Sequence, residues 1–223
     1  MASSNRLCNA TPFELEWNFH AGQEIVLAPD GYVELEDPIM CEQIRPGAPG
    51  AEPVRMEMEE MGIFVRDPSL PYEVQVMEAL ERCIKLKKRR YEEAEASTRR
   101  RISTQGAYTE ESLRSMLEQD GFERLRQDAE KLENRLKQYK KLVDPNIAKR
   151  AKRQQYDPER TIFVMDPPRE FESKIAMQVF LNENPEIAGK HEKYMAALQA
   201  QEELKAAAVE PQSPKQARAS KEA

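Results

Sequence analysis

Between positions 122 and 143 the apolar residues fall at Phe122, Leu125, Ala129, Leu132, Leu136, Tyr139 and Val143, separated alternately by three and four positions. That spacing places all seven along one stripe of an α-helix, and a stripe this narrow is buried by lying against another helix. The partner is close at hand. From Tyr72 to about Ile102 the chain holds neither Gly nor Pro, and Met77, Leu80, Ile84, Tyr91, Ala94 and Thr98 follow a heptad seam interrupted by Lys87. A helix of about 30 residues there would be roughly 45 Å long. The break at 103–108, with Gly106, is short enough to return the chain on itself. An antiparallel helical hairpin over 67–144 is therefore preferred to an intermolecular coiled coil. Phe122, Leu125, Leu132, Leu136 and Tyr139 are the expected packing residues, and burying each Leu is worth about 1.5 to 3 kcal/mol.

The end signals agree with this layout. Thr109 can cap a short helix running through Gln119, and Asp120 with Glu123 three positions on resembles a capping box for the next helix. Asp144-Pro145 stops that helix.

The first 66 residues follow a different period. Phe13, Leu15, Trp17 and Phe19 alternate with Glu14, Glu16 and Asn18, as in a strand with one buried face. Glu24-Ile25-Val26-Leu27, Pro29-Asp30-Gly31 and Tyr32-Val33-Glu34-Leu35 predict a hairpin over 24–36, with Gly31 supplying the turn's special backbone. Pro46-Gly47-Ala48-Pro49-Gly50 marks a loop, Val54–Met61 a short acidic helix ending at Gly62, and Ile63-Phe64-Val65 a last strand. Trp17 and Phe19 either fill this small core or serve as interface anchors.

Past residue 144 the pattern thins. Lys149–Arg153 suggests a solvated helical turn, and Thr161–Met165 a lone strand or extended arm stopped by Pro167-Pro168. Phe171, Ile175, Val179 and Phe180 predict an amphipathic helix to about Glu183, and Pro185 opens another. Residues 145–208 thus form an arm with a short strand and two helices, and 209–223 a tail expected to be disordered.

With 39% hydrophobic and 33% charged residues, the chain lacks material for one large core, and it has no apolar run of the roughly 20 residues a membrane helix needs. The first residues lack the apolar stretch of a secretory signal, so a cytoplasmic location is expected, with no membrane partner. Cys8, Cys41 and Cys83 are then reduced thiols, and Asn9-Ala10-Thr11 is a chance glycosylation match. The net charge of -6 is unevenly spread, with 16 acidic against 4 basic side chains over 1–81 and 9 basic against 3 acidic over 82–101. Such asymmetry steers association.

Chemistry-bearing motifs do not emerge. His20 and His191 lie at opposite ends of the chain with no Cys pair beside either, and none of the 8 glycines sits in a phosphate-binding loop. Ser and Thr fall mainly at caps and breaks, and Glu57-Met58-Glu59-Glu60 reads as a solvated helical face. No enzyme, cofactor or metal site is expected. The strongest electrostatic feature is the run Lys85, Lys87, Lys88, Arg89, Arg90 with Arg99, Arg100 and Arg101, which on an exposed helix could track nucleic-acid phosphates. Intrahelical or interchain pairing with Glu92, Glu93 and Glu95 competes with that use.

In its order of parts the chain resembles small structural proteins of tailed bacteriophages. The features are Asn9-Ala10-Thr11-Pro12 leading into a strand, the turn Pro29-Asp30-Gly31, long charged helices, and a Pro-flanked arm at 161–168, so the likeness spans roughly residues 9–200. The resemblance implies a component repeated by symmetry in a capsid, neck or tail, located in the virion and contacting copies of itself or other virion proteins. The expectation is an α+β, mainly α protein: a small N-terminal antiparallel β module, then a helical hairpin or coiled-coil segment, then C-terminal helices. Its expected role is non-catalytic assembly through protein contacts, the alternative being a nucleic-acid accessory protein using the basic helix at 82–101.

Overall fold

A computed structural model describes residues 6–19, 23–44, 48, 51–104, 109–144, 161–163, 169–192 and 195–196. It is mainly helical, with a small antiparallel sheet system near the N-terminus followed by long helices. The elements are β1 (Arg6–Asn9), β2 (Leu15–Phe19), β3 (Gln23–Leu27), β4 (Tyr32–Glu34), α1 (Pro38–Ile44), α2 (Ala51–Met61) and β5 (Ile63–Val65). They continue with α3 (Tyr72–Thr104), α4 (Glu110–Gln119), α5 (Glu123–Leu142), β6 (Thr161–Phe163), β7 (Arg169–Phe171) and α6 (Lys174–Glu183). His20, Pro46-Gly47, Pro49-Gly50, residues 105–108, Lys149–Arg153, Pro167-Pro168 and the tail 209–223 lie outside the described residues, as do the expectations placed on them.

Two compact units divide the chain, Met1–Phe180 and Leu181–Ala223. In the second, residues 185–192 are helical, and the carbonyl of Asn184 accepts from the N–H groups of Ile187 and Ala188 at 3.0 Å each. All else below concerns the first.

The 24–36 hairpin does not form. β3 pairs with β2, Leu15 opposite Leu27 and Trp17 opposite Ile25, whereas β4 pairs with β1, Leu7 opposite Val33. β1 is the central strand of a three-stranded sheet in the order β4-β1-β5. The cause is Asn9, at the end of β1 and fully buried. Its amide donates to the carbonyls of Phe13 (2.7 Å), Leu27 (3.2 Å) and Ala28 (3.0 Å), and its Oδ1 accepts from the Thr11 N–H and hydroxyl, both at 2.8 Å. The chain leaving β3 is captured there. Its next segment joins β1 through the Asn9 N–H to the Gly31 carbonyl, 2.9 Å. The turn itself is closed by the Gly31 N–H to the Ala28 carbonyl at 2.9 Å, but the left-handed residue is Asp30, at φ 54, not Gly31. Gly31 is needed for space, since a Cβ there would stand 2.9 Å from the Ala28 oxygen.

The core of this region joins both sheets to α1 and α2: Leu7, Trp17, Leu27, Met40, Ile44, Val54, Met58 and Ile63 pack as one cluster. α1 was not anticipated, although Asp37-Pro38 is a helix-start signal. The Asp37 carboxylate accepts from the Ile39 N–H at 2.8 Å, and Pro38 fits a first-turn position that needs no donor. α2 ends at Gly62, at φ 80, where a Cβ would meet the Thr11 methyl at 2.5 Å.

α3 and α5 lie antiparallel. Lys140 reaches Glu81 at 2.7 Å, Lys87 reaches Asp128 at 3.7 Å, and the Tyr91 hydroxyl reaches Glu123 at 3.4 Å, so positions rise along α3 as they fall along α5. Lys87, which interrupts the α3 seam, is thus matched by a carboxylate. At the far end, Ala94 and Ile102 of α3 cluster with Leu113 and Leu117 of α4, and Phe122 packs on them. Thr109 caps α4 in a reciprocal pair with Ser112. The capping box expected at Asp120 is absent: Asp120 closes α4 and its carboxylate binds Arg101 at 2.8 Å. Gly121, at φ 77, lets the Phe122 N–H reach back to the Leu117 carbonyl at 2.9 Å. That left-handed ending satisfies carbonyls the helix leaves open and turns the chain into α5.

The strand at 161–165 is not lone, since Thr161–Phe163 pairs antiparallel with β7, Thr161 opposite Phe171. Arg6 of β1 holds Glu172, just past β7, at 2.9 Å with both side chains nearly buried. The Ser173 hydroxyl accepts from the Ala176 N–H at 3.1 Å at the start of α6, and the Phe171 and Phe180 rings stand 5.4 Å apart.

Candidate interaction surface

On α5, Leu132 and Tyr139 are fully buried and Ala129 and Val143 nearly so, whereas Phe122, Leu125 and Leu136 are half-buried. The expected packing residues therefore lie along one line facing α3, with Phe122 displaced into the cluster beneath α4.

The seam holds one residue that sequence reasoning did not single out. Arg135 is wholly buried, and its guanidinium donates to the carboxylate of Asp30, also wholly buried. This ion pair joins the turn after β3 to the middle of α5. The Arg135 guanidinium also stands 5.9 Å from the centre of the Tyr139 ring. Tyr72, at the start of α3, lies in the same neighbourhood, and burial pushes its phenol well above the ordinary range. A buried pair of this kind is costly to desolvate and very costly to break on one side only. It fixes which face of α5 the turn can meet. The one available signal was an Arg flanking a leucine seam.

A second restraint ties β5 to α3. The Gln75 amide donates to the Asp67 carbonyl at 2.9 Å, while its oxygen accepts from the Asp67 N–H at 2.7 Å. Arg66 adds a bond to the Leu70 carbonyl at 2.8 Å and lies over the Tyr72 ring. Hydrogen bonds from Ser69 hold the Asp67 carboxyl below its usual range.

Trp17 is 2% exposed and packs in the core, so of the two roles open to it the structure gives the first and not that of an interface anchor. The β2 face that carries it is covered by α1 and α2, so nothing of the indole remains to dock. The side chain of Phe19 lies outside the described residues.

Most of the basic run is already engaged. Lys87 pairs with Asp128, Lys88 with Glu133, Arg89 with Glu93, Arg90 with Glu60, Arg99 with Glu95 and Arg101 with Asp120. Only Lys85 and Arg100 of the eight have no ion pair among the described residues. Four of these pairs cross between elements, so the run serves largely to join α3 to α2, α4 and α5.

Between β2, α2, α3 and the first half of α5 runs an open groove of about 1320 Å³. Phe13, Leu15, Met61 and Leu86 supply its apolar lining, with Met56, 57% exposed, at the rim. Lys131 stands over the Phe13 ring at 5.6 Å. The charges along the groove include three of the ion pairs above, Glu60–Arg90, Lys87–Asp128 and Arg89–Glu93. Among the described residues no group of three or more His, Cys, Asp or Glu side chains is placed to hold a metal ion, and no helix is long and apolar enough to cross a membrane. No family model matches this chain, and no curated protein or solved structure is significantly similar to it.

Proposed function

We propose that this chain is a non-catalytic structural or assembly protein that works by presenting fixed surfaces to other protein chains, as a virion component of a tailed phage would. The observation that carries the reading is the Asp30–Arg135 pair, which is wholly buried and joins the β region to the centre of the helical hairpin. Buried charge of this kind is weak as a source of stability, because apolar residues of similar volume often do as well, but it penalises every arrangement that separates the partners. A protein whose task is geometry gains from such a penalty. The groove supports the same reading, since charges held in ion pairs between elements are poor candidates for acid or base work. Internal pairing of six of the eight basic-run residues weighs against a nucleic-acid role for that helix.

The test is fractionation of the particles or complexes of the source cell or lysate on a density gradient, following this chain by mass spectrometry. Co-sedimentation with a large assembly in fixed stoichiometry is expected. A chain found only among free proteins, with turnover of a small molecule by the purified material, would overturn the reading.

A further inference from the structure

The four carboxylates of α5 are all taken by cations other than four of its own. Glu123 and Glu130 are held by Arg126, Asp128 by Lys87 and Glu133 by Lys88. Of the helix's cations, Arg135 and Lys140 are likewise engaged, by Asp30 and Glu81. Arg124, Lys131, Lys137 and Lys141 are left, all exposed and without an ion pair among the described residues. Three of these cations belong to the series Arg124, Gln127, Lys131, Asn134, Gln138 and Lys141, spaced alternately by three and four, and so share the face opposite Leu125, Leu132 and Leu136. The stripe is about 25 Å long; Arg124, Gln127 and Lys131 border the open groove, Lys141 lies beyond it, and the carboxylate beside the stripe, Glu130, is held by Arg126.

The same chain carries a surface of the opposite kind, which begins with Glu14 at that groove and continues away from it. On the β2–β3 ribbon Glu16 and Glu24 alternate with Trp17 and Ile25 and face outward; both are exposed, as is Glu14 just before β2, and none of the three carries an ion pair among the described residues. Beside them Val26, opposite Glu16, is 49% exposed and offers an apolar contact.

We infer that the outward stripe of α5 docks the acidic outer face of the β2–β3 ribbon of a second copy of this chain. The inference rests on the assembly reading and names one of its contacts. Charge complementarity selects the occupant: residues 1–81 carry a net -12, which repels a polyanion such as nucleic acid but supplies the counter-surface on every copy. Because the two surfaces differ, the contact is head-to-tail and propagates into a ring or filament unless two copies reciprocate it.

Three proteins test this by sedimentation: the native chain, a stripe-reversed variant (R124E, K131E, K141E) and a ribbon-reversed variant (E14K, E16K, E24K). The native chain should associate at low salt and dissociate as salt shortens the screening length from about 10 Å at 0.1 M to about 3 Å at 1 M. Each variant alone should associate roughly tenfold more weakly or worse. Mixed, they should associate again, because the two acidic faces of one variant meet the two basic faces of the other, and this recovery requires both variants to be folded. A neutralising set (R124Q, K131Q, K141Q) gives a milder version of the stripe test. A native chain that is monomeric at every salt concentration overturns the contact and leaves assembly with other proteins standing. Association unchanged in either variant overturns it in favour of another face. A monomer that shifts duplex DNA, with the shift lost in the stripe-reversed variant, overturns it in favour of nucleic acid.

Discussion

Asp30 and Arg135, 105 positions apart, meet as an ion pair with neither side chain exposed. Asp30→Asn keeps a residue that tolerates the left-handed backbone but strips the charge facing Arg135. We expect it to cost about 3 to 5 kcal/mol in urea unfolding. In an Arg135→Met background the same change should cost about 1 kcal/mol or less, because no buried cation is stranded. Equal costs in both backgrounds would mean that the pair is not coupled.

Glu172→Ala leaves Arg6 nearly buried, with Glu34, at 2.6 Å and largely exposed, as its remaining ion-pair partner. A loss of about 3 kcal/mol is expected. A loss below about 1 kcal/mol would show that Glu34 suffices.

Gly62→Ala combines a left-handed backbone with a methyl 2.5 Å from that of Thr11. Destabilisation of about 2 kcal/mol or more should appear as a lowered melting temperature. Shortening Thr11 to Ser in the same protein should recover part of it, which strain at the backbone alone would not allow.

Leu132→Ala should cost about 2 to 5 kcal/mol, because Leu132 is wholly buried between α3 and α5. Leu125→Ala, at a half-buried position of the same seam, should cost clearly less. Comparable melting shifts for the two would contradict the packing described.

Burial pushes the Cys8 thiol up to about 12 and the Cys83 thiol to about 11. Both values are raised on folding, so the stability they contribute is complete below the ordinary thiol value and is lost as pH rises through the range between it and about 11 to 12. Chemical denaturation at rising alkaline pH should show that decline, and Cys83→Ser should make it shallower. At neutral pH a thiol reagent should label half-buried Cys41 well before the other two.

Helices α3 to α5 were legible because their determinants are local. A run free of Gly and Pro gave α3, Thr109 marked the start of α4, and a three-four spacing gave α5 and the face it turns inward. The sheets were not. β1, Arg-Leu-Cys-Asn, is buried at every position and so lacks the alternation that flags a strand, yet it is the strand that takes β4 from β3. Trp17 reads from its own strand as either core or interface, because what covers it, the helix opened by Asp37-Pro38, lies twenty residues on. Asp30 looked like an ordinary turn residue. Its partner lies on another element, and neither position carries a trace of the other.

The place of β1 at the centre of its sheet bears on how the protein comes into being on a ribosome. Residues 6–9 emerge early, but their neighbours at 63–65 and the carboxylate at 172 come far later. At ordinary elongation rates of about 5 to 20 residues per second, the strand waits roughly ten to thirty seconds for the last of them. Its edge toward β5 is open for roughly the first three to eleven seconds of that wait, until residues 63–65 have emerged, which makes the nascent chain, rather than the finished molecule, the form most exposed to mispairing.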